Sequence, residues 1–223
     1  MQLRINLFLN KQFSIMNADK KIENAFHQMH KRALHEQCNH EIIQTKDHTL
    51  FPFLYGKYAL MITDAEPEND IHIVFERFIR LNQYPIVSVA NWKATAYGQT
   101  LLDRYQNNYL IKMLDPQIQL RTLNMLRTNC FVYIDAYHQA DETYSLIEAM
   151  YMQLPVIAYD SEYNKKLTGN GAFYYKTMID LLIILQSLHP MKAYANGALM
   201  KQIFNSQLER LHPKHSALQI AEP

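Results

Sequence analysis

The chain has 223 residues, of which 48% are hydrophobic and 19% are charged. This length allows one large domain or one domain with extensions, and the composition predicts a packed core rather than a disordered chain. The formal net charge of +1 gives no general reason to expect nucleic acid or an anionic membrane as a partner. The two cysteines, Cys38 and Cys130, are too few for a disulfide framework or a metal cluster, which indicates reduced thiols in a cytoplasmic protein.

No stretch of the sequence predicts a secretion signal or a membrane span. Polar side chains interrupt the short apolar run in MQLRINLFLNKQF, and no small-residue cleavage site follows it. The longest apolar run, MIDLLIILQSL at 178–188, contains Asp180 and falls short of the roughly 20 residues that a span needs. We therefore expect any membrane contact to be peripheral, at the inner face of the membrane.

The N-terminal part of the chain predicts one amphipathic helix followed by a connector. Between residues 18 and 37, apolar side chains recur at helical spacing and polar residues fill the other positions. The residues that follow, up to about 53, predict an irregular segment.

From residue 57 onward, short apolar runs alternate with helical patterns. The predicted strands are 57–63, 85–91, 109–114, 130–135, 154–160 and 171–175. The predicted helices are 69–82, 95–106, 116–129, 145–153, 176–188 and about 192–211, with Asp115 as the cap of the third, and a turn closes 164–170. Because apolar strands that alternate with helices are typical of a parallel sheet buried on both faces, this pattern predicts an α/β fold with a doubly wound sheet.

Ligands of such sheets bind beyond the carboxyl ends of the strands. This edge is expected just after positions 63, 90, 114, 135 and 158. Trp92 follows one of these strand ends, and both a ligand-lining role and a packing role fit its position.

The segment YSLIEAMYMQLPVIAYD at 144–160 contains a carboxylate in an unusual position. Glu148 lies one turn into a helix that is otherwise apolar on most sides, close to the predicted binding edge. Burying a carboxylate without a partner is costly, so Glu148 either faces solvent, pairs with a nearby Arg or Lys, or contacts a ligand. The start of this helix, at Thr143, Tyr144 and Ser145, offers backbone amides and a positive dipole end that suit a diphosphate.

The same segment carries a resemblance to a known family. SLIEAM at 145–150, followed by LPVIA at 154–158, resembles the nucleotide-sugar motif of GT-B glycosyltransferases. The branch that it resembles is the family-4/group-1 type of bacterial polysaccharide enzymes, including rhamnosyltransferase-like ones. Three further segments match in the same order along the chain: AEPEND at 65–70, ANWKATAYGQTL at 90–101 and LRTNCFVYI at 126–134.

The resemblance, which covers about 57–188, implies a Rossmann-like donor-binding domain, the C-terminal half of a GT-B fold. This domain is expected at 56–190, between a helical extension at 1–55 and a C-terminal helix and tail at 191–223. The implied activity is sugar transfer from a nucleotide-sugar to a growing bacterial surface polysaccharide or glycan. No cofactor is implied, because the nucleotide-sugar is the substrate. The acceptor is a glycan or a lipid-linked molecule, and about 55 preceding residues are too few for the acceptor half, which suggests a separate protein as its source.

The resemblance also implies roles for individual residues. Glu148 would hold the ribose of the donor, and the amides of 143–145 would bind its diphosphate. The remaining donor-binding candidates are Trp92 in the cleft, Lys112, Met113 and Leu114 beside the nucleobase of the donor, and Asp141 and Glu142 near its sugar. No catalytic base is named, since the family places it in the half that precedes this domain.

Three positions depart from the family pattern. Ala140 stands eight residues before Glu148, where many members have a second glutamate, and Asp64 stands where the family tends to have an arginine. Asp135 begins the segment that aligns with a His-Gly-His-like motif, and His138 lies one place beyond it. These departures support a second hypothesis, a non-catalytic glycosyltransferase-like binding or assembly subunit, or a truncated, degenerate copy.

Several histidines near the N-terminus raise the question of a metal site. His27 and His30 are spaced for one helical face, and His35 and His40 follow. Neither an HExxH nor a CxxC pattern accompanies them. We therefore interpret these histidines as a solvated helical face and predict no metal site.

Overall fold

A computed structural model of the chain describes residues 19–29, 43–138 and 144–211. Its centre is a six-stranded sheet in which every neighbouring pair of strands is parallel. The strands are β1 (Ala59–Ile62), β2 (Ile86–Val89), β3 (Ile111–Leu114), β4 (Val132–Asp135), β5 (Val156–Tyr159) and β6 (Phe173–Tyr175). Their order across the sheet is β3-β2-β1-β4-β5-β6. All six predicted strands are present, and the predicted α/β class is confirmed.

Helices connect the strands and cover both faces of the sheet. The helices are α1 (residues 19–29), α2 (Thr45–Leu50), α3 (Ile71–Leu81), α4 (Ala96–Tyr105), α5 (Leu120–Asn129), α6 (Tyr144–Tyr151), α7 (Glu162–Leu167), α8 (Met178–Ser187) and α9 (Pro190–Leu211). Along β1, Leu60 packs into one buried cluster with α1, α5, α6 and α9, whereas Ala59 and Met61 pack into the other with α3, α4 and α8. The strands carry apolar side chains on both sides because each face of the sheet is buried in one of these two clusters.

Three elements differ from the sequence prediction. The segment predicted to be irregular before residue 53 contains α2, which begins at Thr45 and whose cap residue, Gln44, makes a reciprocal capping contact with Asp47. The first half of the predicted turn at 164–170 is instead part of α7, whose cap is the Ser161 hydroxyl. Helix α5 begins at Leu120, because Asp115 instead accepts the Gln117 N–H at 2.9 Å and closes a local turn. In each case a short-range polar contact decided the boundary.

Helix α1 belongs to the same core as the sheet. Ile22, Phe26 and Met29 are buried, and the Phe26 ring lies 5.5 Å from that of Phe204 on α9. The predicted continuation of this helix to residue 37 lies outside the described residues. Among the described residues, no helix is both long and apolar enough to cross a membrane.

Gly98 places the start of α4 close to the loop after β2. A Cβ at this position would lie 2.4 Å from the carbonyl oxygen of Trp92 and 3.0 Å from the Cβ of Ala65. We expect Gly98→Ala to lower the free energy of unfolding by about 1–3 kcal/mol, because backbone must move to admit the methyl group. This loss outweighs the roughly 1 kcal/mol that alanine gains over glycine in helix propensity.

Gly56 supplies the matched control for this substitution. Its nearest neighbour to an added Cβ is the Phe53 carbonyl oxygen at 3.9 Å, and its φ of −131° suits any residue. Gly56→Ala is therefore expected to leave stability unchanged or slightly raised. Urea unfolding of both variants measures the difference, and equal stabilities would contradict the close approach at Gly98.

Candidate functional site

The order of the strands locates a crevice between β1 and β4. The chain builds β1, β2 and β3 outward in one direction and then crosses back to place β4 on the other side of β1. Connections on the two sides of this point diverge, which opens a cleft beyond the carboxyl ends of the two central strands. The residues that follow β1 and β4 therefore form the candidate site.

A tyrosine and a carboxylate connect the two sides of this crevice. The Tyr137 hydroxyl, after β4, donates to Oδ2 of Asp64, after β1, at 3.0 Å. Asp64 is exposed, and its backbone oxygen accepts the Asn69 amide at 3.0 Å. Burial raises the pKa of Tyr137, and the charge of Asp64 raises it further, so the hydroxyl stays protonated and holds the carboxylate in place.

His138 forms a flat aromatic surface beside this pair. Its ring stacks on that of Tyr159, at the end of β5, with 3.5 Å between the ring centroids. Its Nε2 lies 3.8 Å from Oδ2 of Asp70, the residue before α3, which has a left-handed backbone conformation. Burial lowers the pKa of His138 and Asp70 acts in the opposite direction. Stacked rings bordered by carboxylates suit a ligand with flat apolar faces and many hydroxyl groups.

Asp135 lies under the crevice at the end of β4. It is fully buried, and neither carboxyl oxygen has a hydrogen-bond partner within the described residues. Burial raises the pKa of Asp135 to about 7, although the Asn164 side chain and the Tyr137 backbone act to lower it. This carboxyl therefore carries only part of its charge near neutral pH, which weakens its repulsion of an anion at the crevice.

Asn164, on α7, ties the loops of the site together. Its side-chain amide donates to the backbone oxygens of Tyr137, at 3.1 Å, and Tyr159, at 3.0 Å. The next residue, Lys165, pairs with Asp160 at 2.6 Å. The ends of β4 and β5 are thus held by a buried side chain that the sequence did not single out.

Glu148 is buried on α6, and its partner is an arginine. Its carboxylate accepts a hydrogen bond from the guanidinium of Arg127, in the last turn of α5. Their side chains are only 8% and 3% exposed. Of the interpretations that the sequence left open, pairing with a basic residue describes this structure. The ribose-binding role of Glu148 stays a prediction.

The structure describes five of the other predicted donor-binding residues on α6 and β3. Tyr144 and Ser145 are half-buried at the first described positions of α6, and Asp141, Glu142 and Thr143 lie outside the described residues. Lys112, Met113 and Leu114 are partly buried on β3, an edge strand two places from β1.

Trp92 is 5% exposed, and its indole N–H donates to the Leu114 backbone oxygen at 2.9 Å. Its ring centroid lies 6.0 Å from that of Phe75. The structure thus gives Trp92 the packing role rather than a place on the cleft surface.

Three residues of the crevice were missed at the sequence level. Tyr159 immediately follows position 158, which the strand-end rule had marked, so that signal was present. Asp70 ends the AEPEND segment that carried part of the resemblance, but neither Asp70 nor Asn164 was marked as a site residue, because they reach the site only through the fold. Within the described part of the chain, no three His, Cys, Asp or Glu side chains are grouped to hold a metal ion.

Structural comparison relates the fold of this chain to those of known proteins. HepE from Anabaena, solved in complex with UDP and glucose, has 13% identity and a TM-score of 0.63 over 82% of this chain and 54% of its own. The C-terminal domain of LpcC, a group 1 family glycosyltransferase from Francisella tularensis, has 12% identity and a TM-score of 0.59 over 76% of this chain and 95% of its own. The fold is that of the C-terminal domain of a GT-B glycosyltransferase.

A third GT-B structure gives the same extent of similarity. Sucrose-phosphate synthase from Thermosynechococcus elongatus has 14% identity and a TM-score of 0.59 over 82% of this chain. The chain spans 50% of that enzyme and 54% of HepE, whereas it spans nearly all of the isolated LpcC domain. No protein-family profile and no curated protein matches the sequence.

Proposed function

We propose that the chain binds a nucleotide-sugar at the β1–β4 crevice and acts as the donor-binding half of a glycosyltransferase. The activity would be transfer of the sugar to a bacterial surface polysaccharide or another glycan. The observation that supports this most is the fold match to GT-B C-terminal domains, combined with a crevice at the switch point of the sheet. HepE, which shares this fold, was solved with UDP and glucose.

The chemistry of the crevice suits the sugar part of such a donor. The stacked pair of His138 and Tyr159 offers an aromatic surface, and Asp64 and Asp70 offer carboxylate oxygens that accept hydrogen bonds from hydroxyls. In this class of reaction, catalysis rests on positioning donor and acceptor and on stabilising the leaving diphosphate. The acceptor, the separate acceptor-half protein, the rhamnosyltransferase-like subtype and a cytoplasmic location with peripheral membrane contact stay predictions.

The second candidate function is a non-catalytic glycosyltransferase-like binding or assembly subunit. Two observations favour it. Asp64 puts a negative charge at the crevice, where the resemblance implies an arginine that faces a diphosphate, and the Glu148 carboxylate is already engaged by Arg127. In this case the crevice keeps its fold but does not bind a nucleotide-sugar.

Calorimetry with a panel of UDP-, dTDP- and GDP-sugars separates the two candidates. We expect one of these donors to bind the folded chain, and Glu148→Gln to weaken that binding by on the order of tenfold, because a charged acceptor for the ribose hydroxyls is lost. Glu162→Gln, at an exposed carboxylate in the first turn of α7, is the matched control and should bind as the wild type does.

The result that sinks the donor-binding proposal is a folded protein that binds none of the panel. That result would leave the non-catalytic subunit as the better candidate. Binding that is unchanged in Glu148→Gln would keep the donor site but remove the ribose role of Glu148.

A further inference from the structure

A cavity of about 440 Å³ lies on the opposite edge of the sheet from the crevice. Its walls include residues that immediately precede strands: Phe131 before β4 and Pro155 before β5. These strand beginnings face away from the carboxyl ends that form the candidate donor site. The volume falls within the range of about 300–1,000 Å³ that is usual for small-molecule sites.

The walls of this cavity are mostly apolar. Met152 and Leu154, just after α6, and Ala193, in the first turn of α9, contribute aliphatic and thioether surface. Tyr194 lies at the rim with 73% of its surface exposed. An apolar body of about the size of a bicyclic aromatic or a short acyl chain would gain free energy by burying this surface.

One charged side chain, Lys57, lies at the cavity. Its Nζ is 3.6 Å from the centroid of the Phe131 ring and 4.6 Å from that of Tyr84. No carboxylate among the described residues forms an ion pair with it. Burial lowers the pKa of Lys57, which reflects partial loss of its hydration. A cation held over aromatic rings without a counter-charge favours an anion as its partner.

The helix ends around the cavity carry partial charges of both signs. Helix α9 begins at Pro190, in the cavity wall, so its positive dipole end faces this side of the protein. Helices α5 and α6 end here, but backbone N–H groups already satisfy carbonyls in their last turns. Cys130 donates to the Arg127 oxygen at 3.3 Å, and Leu154 donates to the Ala149 oxygen at 2.9 Å.

We propose that this cavity binds a small amphipathic monoanion, with its apolar body against Phe131, Met152 and Leu154 and its anionic group at Lys57. The site is separate from the crevice and does not depend on the donor-binding proposal. Cys130 and Met152 directly follow the two helices that carry Arg127 and Glu148, so the ligand would lie beside the C-terminal ends of both helices.

Two matched fluorescent probes test this proposal. 8-Anilinonaphthalene-1-sulfonate carries a sulfonate, and N-phenyl-1-naphthylamine has the same ring system without a charge. We expect Lys57→Gln to weaken binding of the sulfonate about five- to tenfold and to leave binding of the neutral amine unchanged. Lys176→Gln, at an exposed lysine after β6, is the control and should bind both probes as the wild type does.

Methyl NMR of the methionines locates the bound probe. Met152 lines the cavity, whereas Met178 is exposed at the start of α8. The proposal predicts that the Met152 methyl resonance shifts with the sulfonate concentration and that the Met178 resonance does not. Equal sulfonate affinity in wild type and Lys57→Gln, equal losses for both probes, or an unmoved Met152 resonance would each overturn it. Circular dichroism confirms that each variant is folded before binding is measured.

Discussion

Replacing Arg127 by methionine is expected to lower the free energy of unfolding by about 3–5 kcal/mol. The Glu148 carboxylate would lose the guanidinium that it faces in the core, while burial continues to penalise its charge. Glu148→Leu should destabilise the protein by a similar amount, since it leaves the Arg127 guanidinium in the same buried position. Urea unfolding at neutral pH measures both effects.

The double variant tests whether the two residues act as a pair. With Arg127→Met and Glu148→Leu together, apolar side chains replace both charges, and we expect most of the lost stability to return. The pair between Arg104 and Glu76, at 2.6 Å but with side chains 61% and 36% exposed, is the internal control. Breaking that pair should change stability by less than about 1 kcal/mol, because solvent screens it.

The same variants separate the structural role of Glu148 from the proposed ribose role. If the double variant regains stability but not nucleotide-sugar affinity, the charged pair is needed for binding rather than for the fold. Single variants at Arg127 and Glu148 that each lower stability by less than about 1 kcal/mol would contradict the buried pair.

Asp135→Asn is expected to raise stability at pH 8 and to have little effect at pH 4. The folded protein raises the pKa of this carboxyl from 3.8 to about 7, so the folded state keeps a proton that the unfolded state releases between these values. The contribution of Asp135 to stability is therefore greatest below pH 4, declines as pH rises toward 7, and is lost above that value. The full shift corresponds to an upper limit of about 4 kcal/mol at pH 8.

Urea unfolding at pH 4 to 8 measures this dependence. The difference in stability between Asp135→Asn and wild type should grow between pH 4 and about pH 7 and level off above that value, because asparagine resembles the protonated carboxyl at every pH. Asp103→Asn, at an exposed position on α4, is the control and should show a difference within about 0.5 kcal/mol throughout. A constant difference for Asp135→Asn would mean that the carboxyl is already ionised in the folded protein at low pH.

The sequence alone was enough to predict the fold class. Apolar runs such as 57–63 and 154–160 are short, continuous and separated by helical patterns, and only a parallel sheet covered on both faces buries them all. Each strand and most helices could be placed for this reason. The exceptions are α2, α7 and the start of α5. They depend on single polar contacts made by Asp47, Ser161 and Asp115, which the spacing of apolar residues along the sequence does not reveal.

The sequence also marked the strand ends as the binding edge and Glu148 as a residue that needs a partner. It did not determine which partner, because Arg127 is 21 positions away and meets Glu148 only when α5 and α6 pack together. Asp70, Tyr137 and Asn164 come together at the crevice for the same reason. The burial of Trp92 likewise depends on Phe75 and Leu114, which belong to other elements. Local patterns set the elements of this protein, and only long-range packing decided which polar groups meet within its core and at its edge.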